Sequence, residues 1–383
     1  MKKAYYITLL CGFFLLLANG WSCKEPFTSP VIEGDNSYLV IDGIINSGQD
    51  STIITLSRTR NLNDTSSFIP ELNASVSVQE ENGASYTLQS IGGGRYGIEV
   101  LTLNPSSNCR LRIRTANGSE YASAYVPIKS TPPIDSLNWD RPDGHDVLVY
   151  ANTHDPNNNT RYYRWSFSET WEYRSYFDTN LGYNRTTGQI YYRDSSALLT
   201  QCWSTANSTS VVVGTSASIS EDIIQHQTVA RVPEGSMKLS YRYSILVKQY
   251  ALTKEAFEYW QLLRKTSEQQ GTLFDPQPSQ IFGNIFCLTN PNEPVIGYMS
   301  ASSVEQKRLF ITRSEVPGWD QQPPPEFCPA SIIPTDSAIY YFRDTSLAPA
   351  YYVGMGGFAI AIAKNKCVDC TWWGGNTKKP SFW

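Results

Sequence analysis

Between residues 38 and 130 the chain runs in short alternations of apolar and polar residues, each closed by a turn signal. That rhythm commits it to antiparallel β-structure. Leu39 and Ile41 begin one run, and Ile54 and Leu56 alternate with Ile53, Thr55 and Ser57 in the next. Val76 and Val78, then Tyr86 and Leu88, flank Glu81-Asn82-Gly83, where Asn-Gly admits a positive φ at little cost. Leu111, Ile113 and Tyr121 flank Asn117-Gly118-Ser119 in the same way. About seven strands in this stretch predict an N-terminal β-sandwich. The glycines Gly92-Gly93-Gly94 lead into the strand pattern Tyr96, Ile98, Val100. Phosphate-cradling loops lead into a helix instead, so this run is a turn.

Ser130-Thr131-Pro132-Pro133 breaks the pattern and marks a boundary, after which residues 131–383 predict a larger β-rich domain. Its opening is dense in rings, with 11 aromatics between positions 161 and 192. Tyr163, Trp165 and Phe167 fall at spacing two, on one strand face, with Arg164, Ser166 and Ser168 on the other. The trio reads as core. Trp171, Tyr173, Tyr176 and Tyr183 sit among polar residues and stand equally as core rings or as a contact surface for a ligand or partner. Tyr241, Tyr243, Ile245 and Val247 read as a buried strand. One helix is predicted near residues 253–270, with Thr253 as N-cap, Glu255 in the first turn, Gly271 after the end, and Ala256, Phe257, Trp260 and Leu263 on its apolar face. The fold class expected is mainly β: an N-terminal β-sandwich followed by a larger β domain carrying one α-helix.

The first 23 residues bear on location. Lys2 and Lys3 precede an apolar run from Ala4 to Ala18, too short for a stable membrane span and suited to a signal peptide over residues 1–22. The run closes on Gly20-Trp21-Ser22-Cys23, a small residue before cysteine, as at lipoprotein cleavage sites; Cys23 is the expected lipidation position. Residues 23–37 then form a polar tether. Ordinary secretion, with Cys23 unmodified, is the alternative. Both place the mature chain outside the cytoplasm. Charged residues make up 17% and the net charge is −4, without a basic block, so the electrostatic footprint for nucleic acid is missing.

Six cysteines remain past Cys23, and an oxidising compartment favours disulfides. Cys202, Cys287, Cys328, Cys367 and Cys370 are the candidates, with Cys202–Cys287 the pairing favoured; Cys109, inside a strand pattern, reads as a buried free thiol. Cys367-Val-Asp-Cys370 has redox or metal spacing, and with Cys328 it offers three zinc ligands. No helix pattern follows it, so structural disulfides are preferred.

Several ordered segments resemble a known family. They are Tyr243-Ser-Ile-Leu-Val-Lys-Gln-Tyr250, Glu255-Ala-Phe-Glu-Tyr-Trp260, Gly271-Thr-Leu-Phe-Asp-Pro-Gln-Pro-Ser279, Gly283-Asn-Ile285, Glu293-Pro-Val-Ile-Gly-Tyr298, Cys367-Val-Asp-Cys370, Gly374-Gly375 and Lys379-Pro-Ser-Phe-Trp383. Together they resemble the Bacteroidetes outer-membrane lipoproteins grouped as domain-of-unknown-function family 4249. The resemblance brings no activity. It implies an outer-membrane lipoprotein, facing periplasm or cell surface, that serves as an accessory or substrate-binding partner of a TonB-dependent receptor.

Motifs for chemistry are sparse. His145, His154 and His226 lack metal-ligand spacing, and no Gly-x-Ser-x-Gly elbow is present. Asp155-Pro156-Asn157-Asn158-Asn159 begins like a calcium loop, but Thr160 and Ser166 stand where glycine and glutamate are needed, so it reads as a turn. Glu169 and Glu172 lie near each other among aromatics, yet a spacing of three on a strand turns them to opposite faces; partners such as Arg164 and Arg174 are expected for them instead of a glycosidase role. The expectation is a non-enzyme without cofactor or metal. A secreted hydrolase of glycans or peptides and a structural or adhesive surface module are the rival readings.

Overall fold

A computed structural model describes residues 37–60, 68–268, 281–319 and 328–383. The alternation in the first stretch becomes strands as expected. In Thr52–Arg58, Ile54 and Leu56 are buried and Ile53 is exposed. Ser75–Glu80 and Ser85–Gly92 form the hairpin, with Val76 opposite Leu88, Val78 opposite Tyr86, and Gly83 at φ 101°. Gly92, Gly93 and Gly94 all adopt positive φ and turn the chain directly into strand Arg95–Ile98.

Residues 38–130 do not complete this sheet alone. Ile285–Cys287 pairs antiparallel with Glu120–Ser123. Ala301–Ser302 inserts in parallel between Ile45–Asn46 and Val126–Lys129. Ile285, Val295, Met299 and Ala301 share one buried core with Leu39, Ile54, Val78 and Leu111. Each of the larger of these side chains, Ile285, Val295 and Met299 among them, stabilises by roughly 1.5–3 kcal/mol when removed from water. The returning segment needs its glycines. A Cβ on Gly297, at φ 135°, would lie 2.3 Å from the Ile41 carbonyl, and one on Gly283 would lie 1.7 Å from the Gly297 carbonyl. Asn284 locks the return by donating to the Met299 carbonyl (2.9 Å) and accepting from the Met299 N–H (2.7 Å).

The middle of the chain makes a sandwich of two facing sheets. One sheet contains Gln201–Asn207, Tyr162–Arg174, Arg242–Ala251 and Val304–Thr312 in that order, with Val212–Thr215 also paired to Tyr162–Arg174. It is called the central sheet below. The facing sheet contains Ile134–Asp140, Val147–Asp155 and Asp222–Val232. Tyr163, Trp165, Tyr243, Ile245 and Val247 meet Val147, Val149, Ala151 and Val229 in one core. The expected core trio therefore points inward, with Phe167 only partly buried. Arg164, Ser166 and Ser168 face outward.

The helix runs Lys254–Glu268, and Thr253 caps it by accepting from the Ala256 N–H at 3.2 Å. Its Ala256, Phe257, Tyr259 and Trp260 pack with Val213 and Leu252. The expected Gly271 end and the 271–279 motif lie outside the described residues. Two single helical turns, Ala338–Tyr341 and Asn365–Val368, join it among the described residues.

A small sheet ordered Ser331–Pro334, Ala359–Lys364, Leu347–Val353 ends the chain, beside the hairpin Leu181–Asn184 and Gln189–Tyr192. The disulfides are Cys202–Cys370 and Cys328–Cys367. This corrects the Cys202–Cys287 expectation: Cys287 is a buried free thiol, as is Cys109. Cys287 rides on the strand that returned to the first sheet, whereas Cys202 lies in the central sheet beneath the tail. The two cysteines of the Cys-x-x-Cys pair bond away from each other.

Candidate functional site

The tail motif is structural. Asn376 exchanges two backbone hydrogen bonds with Trp203, at 2.8 and 2.9 Å, extending the edge of the central sheet. A Cβ on Gly375 would lie 2.1 Å from the Tyr173 hydroxyl, so only glycine lets the tail pass there. The terminal rings dock on arginines: Arg308 lies 3.6 Å over Phe382, and Arg242 5.4 Å over Trp383.

The four aromatics proposed as a contact surface do not form one. Tyr173 is 2% exposed and donates to the Cys370 carbonyl, which makes it core. Trp171 is half-buried with the Lys238 ammonium 5.3 Å from its ring centre. Tyr183 is half-buried against Phe342. Tyr176 alone of the four is exposed. Other exposed rings lie in the chain's last part, Tyr340, Tyr351, Phe358 and Trp372, and on the hairpin, Tyr191 and Tyr192; of these Tyr351 reaches Tyr176 through Phe177. The Gly354–Phe358 turn carries Met355 at 98% and Phe358 at 81% exposure. Its three glycines at positive φ were the available signal for a turn that projects its apolar residues outward.

The acidic pair is separated as the strand spacing required. Glu169, buried, accepts from the Tyr243 hydroxyl at 2.8 Å and pairs with Lys238. Burial first, and Glu169 second, push the Tyr243 hydroxyl well above its ordinary range. Glu172 accepts from Gln201 at 2.7 Å and pairs with Arg174 at 3.4 Å. Arg174 is thus the partner expected; Arg164 is not, because Glu169 points into the core and Arg164 points out. Asp155 accepts backbone N–H bonds from Asn157, Asn159 and Thr160, each 2.9 Å. Burial would raise this carboxyl, but the three donors outweigh it and hold it below the ordinary range. It is the turn read from sequence. His145 pairs with Glu234 and His154 with Asp135 on exposed surface, and His226 meets the edge of Tyr150. No group of three His, Cys, Asp or Glu side chains is placed to hold a metal among the described residues.

A cleft of 760 Å³ opens between the first sheet and the outer face of the central sheet. Arg164 and Lys248 line it from the central sheet, Asp42 from the first sheet, Asp50 from the bend before Thr52–Arg58, and Ser208 and Thr209 from the loop joining Gln201–Asn207 to Val212–Thr215. Arg164 stacks 3.8 Å from the Trp260 ring centre, and burial pulls its guanidinium below the ordinary value. None of these lining residues had been singled out as a site. The polar face Arg164-x-Ser166-x-Ser168 was the visible signal.

The family model described as "Domain of unknown function (DUF4249)" matches residues 24–308. The chain belongs to this family. No curated protein matches. Among solved structures, a two-fibronectin type III domain segment from chicken tenascin is similar at 9% identity, covering 56% of this chain and 89% of that one. Its TM-score of 0.15 gives no basis for an argument about fold. In this chain the segments Gly283-Asn-Ile285 and Glu293–Tyr298 carry architecture: Glu293 accepts from the Tyr121 hydroxyl at 2.7 Å, and Tyr298 packs on Tyr259.

Proposed function

We propose that this member of the domain-of-unknown-function family is a lipid-anchored accessory of the outer membrane. It is fastened through Cys23 and docks on a TonB-dependent receptor to help present its substrate, without chemistry of its own. The observation that carries the reading is a set of adjoining rings in which Tyr176 meets Phe177 at 4.9 Å, Phe177 meets Tyr351 at 5.7 Å and Tyr192 meets Tyr352 at 6.3 Å, with Met355 and Phe358 exposed on the turn that follows Tyr351 and Tyr352. Apolar groups that adjoin one another on a surface mark contact sites, whereas single exposed ones do not. Tyr and Phe supply contact area at low conformational cost. Anchoring by one lipidated end confines both partners to two dimensions and raises their effective concentration.

The test is purification of the lipidated protein in gentle detergent, followed by identification of what accompanies it. A TonB-dependent β-barrel should co-purify, and Phe358→Ser with Tyr192→Ser should deplete it. Cys23→Ala should release the protein from membranes. A protein that arrives without a barrel, or one that stays on membranes after Cys23→Ala, contradicts the reading.

A further inference from the structure

We propose that the cleft between the first sheet and the outer face of the central sheet binds a small ligand through a single carboxylate seated on Arg164 and Lys248. This goes beyond receptor docking and does not depend on it.

The inference starts from an unmatched cation. Arg164 Nε is buried without a hydrogen-bond partner, and its two terminal nitrogens, which are not sealed off, make no hydrogen bond among the described residues either, so they are the donors a ligand can reach. Among the described residues no carboxylate lies within ion-pair distance of Arg164; the rings of Trp260 at 3.8 Å and Tyr250 at 5.7 Å flank it, and Asp42 across the cleft acts on it through charge alone. A guanidinium stacked on a ring has its plane fixed and its donor edge left over, which is the arrangement that receives a carboxylate through two parallel hydrogen bonds. Placing such a group half out of water with no acceptor is costly unless something supplies one.

Lys248 stands beside it. Arg164 pairs with Tyr250 and Ser166 with Lys248 across adjacent strands, so Arg164 and Lys248 share one face at a diagonal. Lys248 also has no ion pair or hydrogen bond among the described residues. Two unmatched cations thus converge on one cleft of a volume usual for small-ligand sites.

The opposite wall limits what can enter. Asp42 and Asp50 line the cleft too, so its four charged groups balance. A polyanion would meet repulsion from the acidic side. A ligand with one carboxylate and an uncharged or cationic remainder would not, and Ser208 and Thr209 offer hydroxyls to that remainder. The C-terminus of a short peptide and a uronic acid both answer this description.

Calorimetric titration of the full mature protein in detergent decides it, using triglycine against triglycinamide, glucuronate against glucose, and citrate as the polyanion. Triglycine or glucuronate should bind saturably, its uncharged-end counterpart and citrate should bind far more weakly, and the acid that binds names the source. Arg164→Gln should weaken that binding about tenfold or more, with Arg164→Lys recovering part of it. Lys248→Gln, read the same way, stands in if circular dichroism shows Arg164→Gln unfolded. Binding by neither acid, equal binding of the neutral counterpart, tighter binding of citrate, or unchanged affinity in the folded variants overturns the proposal.

Discussion

Cys202, in the central sheet, is bonded to Cys370, 168 positions later, and the bond sits against the buried ring of Tyr173. It fastens the end of the chain to the middle, and with it the exposed aromatic residues on which the functional reading rests.

Breaking this cross-link frees a long loop in the unfolded chain. Cys202→Ala with Cys370→Ala is expected to cost about 2–5 kcal/mol in urea unfolding. Non-reducing peptide mapping should recover Cys202–Cys370 and Cys328–Cys367, with Cys109 and Cys287 alkylated only after unfolding. Burial pushes the Cys109 thiol up to about 12, so it stays protonated and unreactive in the folded protein. A Cys202–Cys287 peptide, or a double mutant as stable as the parent, would contradict the assigned pairing.

Tyr163 donates its hydroxyl to Asp222, and both are buried. Ser216 also donates to that carboxylate, and no cation pairs with it among the described residues. Tyr163→Phe leaves a buried acceptor short of one donor, and the expected loss is about 1–3 kcal/mol by urea titration. The phenol itself is held far above its usual range, by burial first and then by Asp222. A variant unchanged within about 0.5 kcal/mol would mean that water reaches the site.

His154 Nδ1 lies 2.8 Å from the Asp135 carboxylate, and this hydrogen bond, then the charge of Asp135, raises the imidazole above its ordinary 6.5. A raised folded value means that the pair stabilises fully below the unfolded value and that the contribution fades as pH rises through the folded one. Proton NMR titration should show the raised value, and Asp135→Asn should bring it down. An identical curve in the variant would show that the pair does not form in solution.

Much of the fold was legible because period-two alternation and Asn-Gly turns are local. The Val76–Leu88 register and the inward face of Tyr163 and Trp165 follow from that alone. The return of Ile285–Cys287 and Ala301–Ser302 to the first sheet was not legible. These are segments of two or three residues whose pairing is decided by distant partners, and Gly283 and Gly297 betray close approach without saying to what. The same non-locality misled the cysteine pairing. At the site, Trp171, Tyr173, Tyr176 and Tyr183 looked alike in sequence, yet burial sorts them into different surroundings. Arg164 was expected as a carboxylate partner and not as a site, because a lone cation on a strand face is ordinary until its lack of an acceptor is seen.

The most direct measurement is a photo-crosslink in intact cells, with benzoylphenylalanine placed at position 358 and, as a control, at exposed position 87 on the first sheet. The expected result is a covalent adduct between position 358 and a TonB-dependent barrel, with none from position 87. Adducts from neither position, from both alike, or from position 87 alone would contradict docking through the aromatic surface.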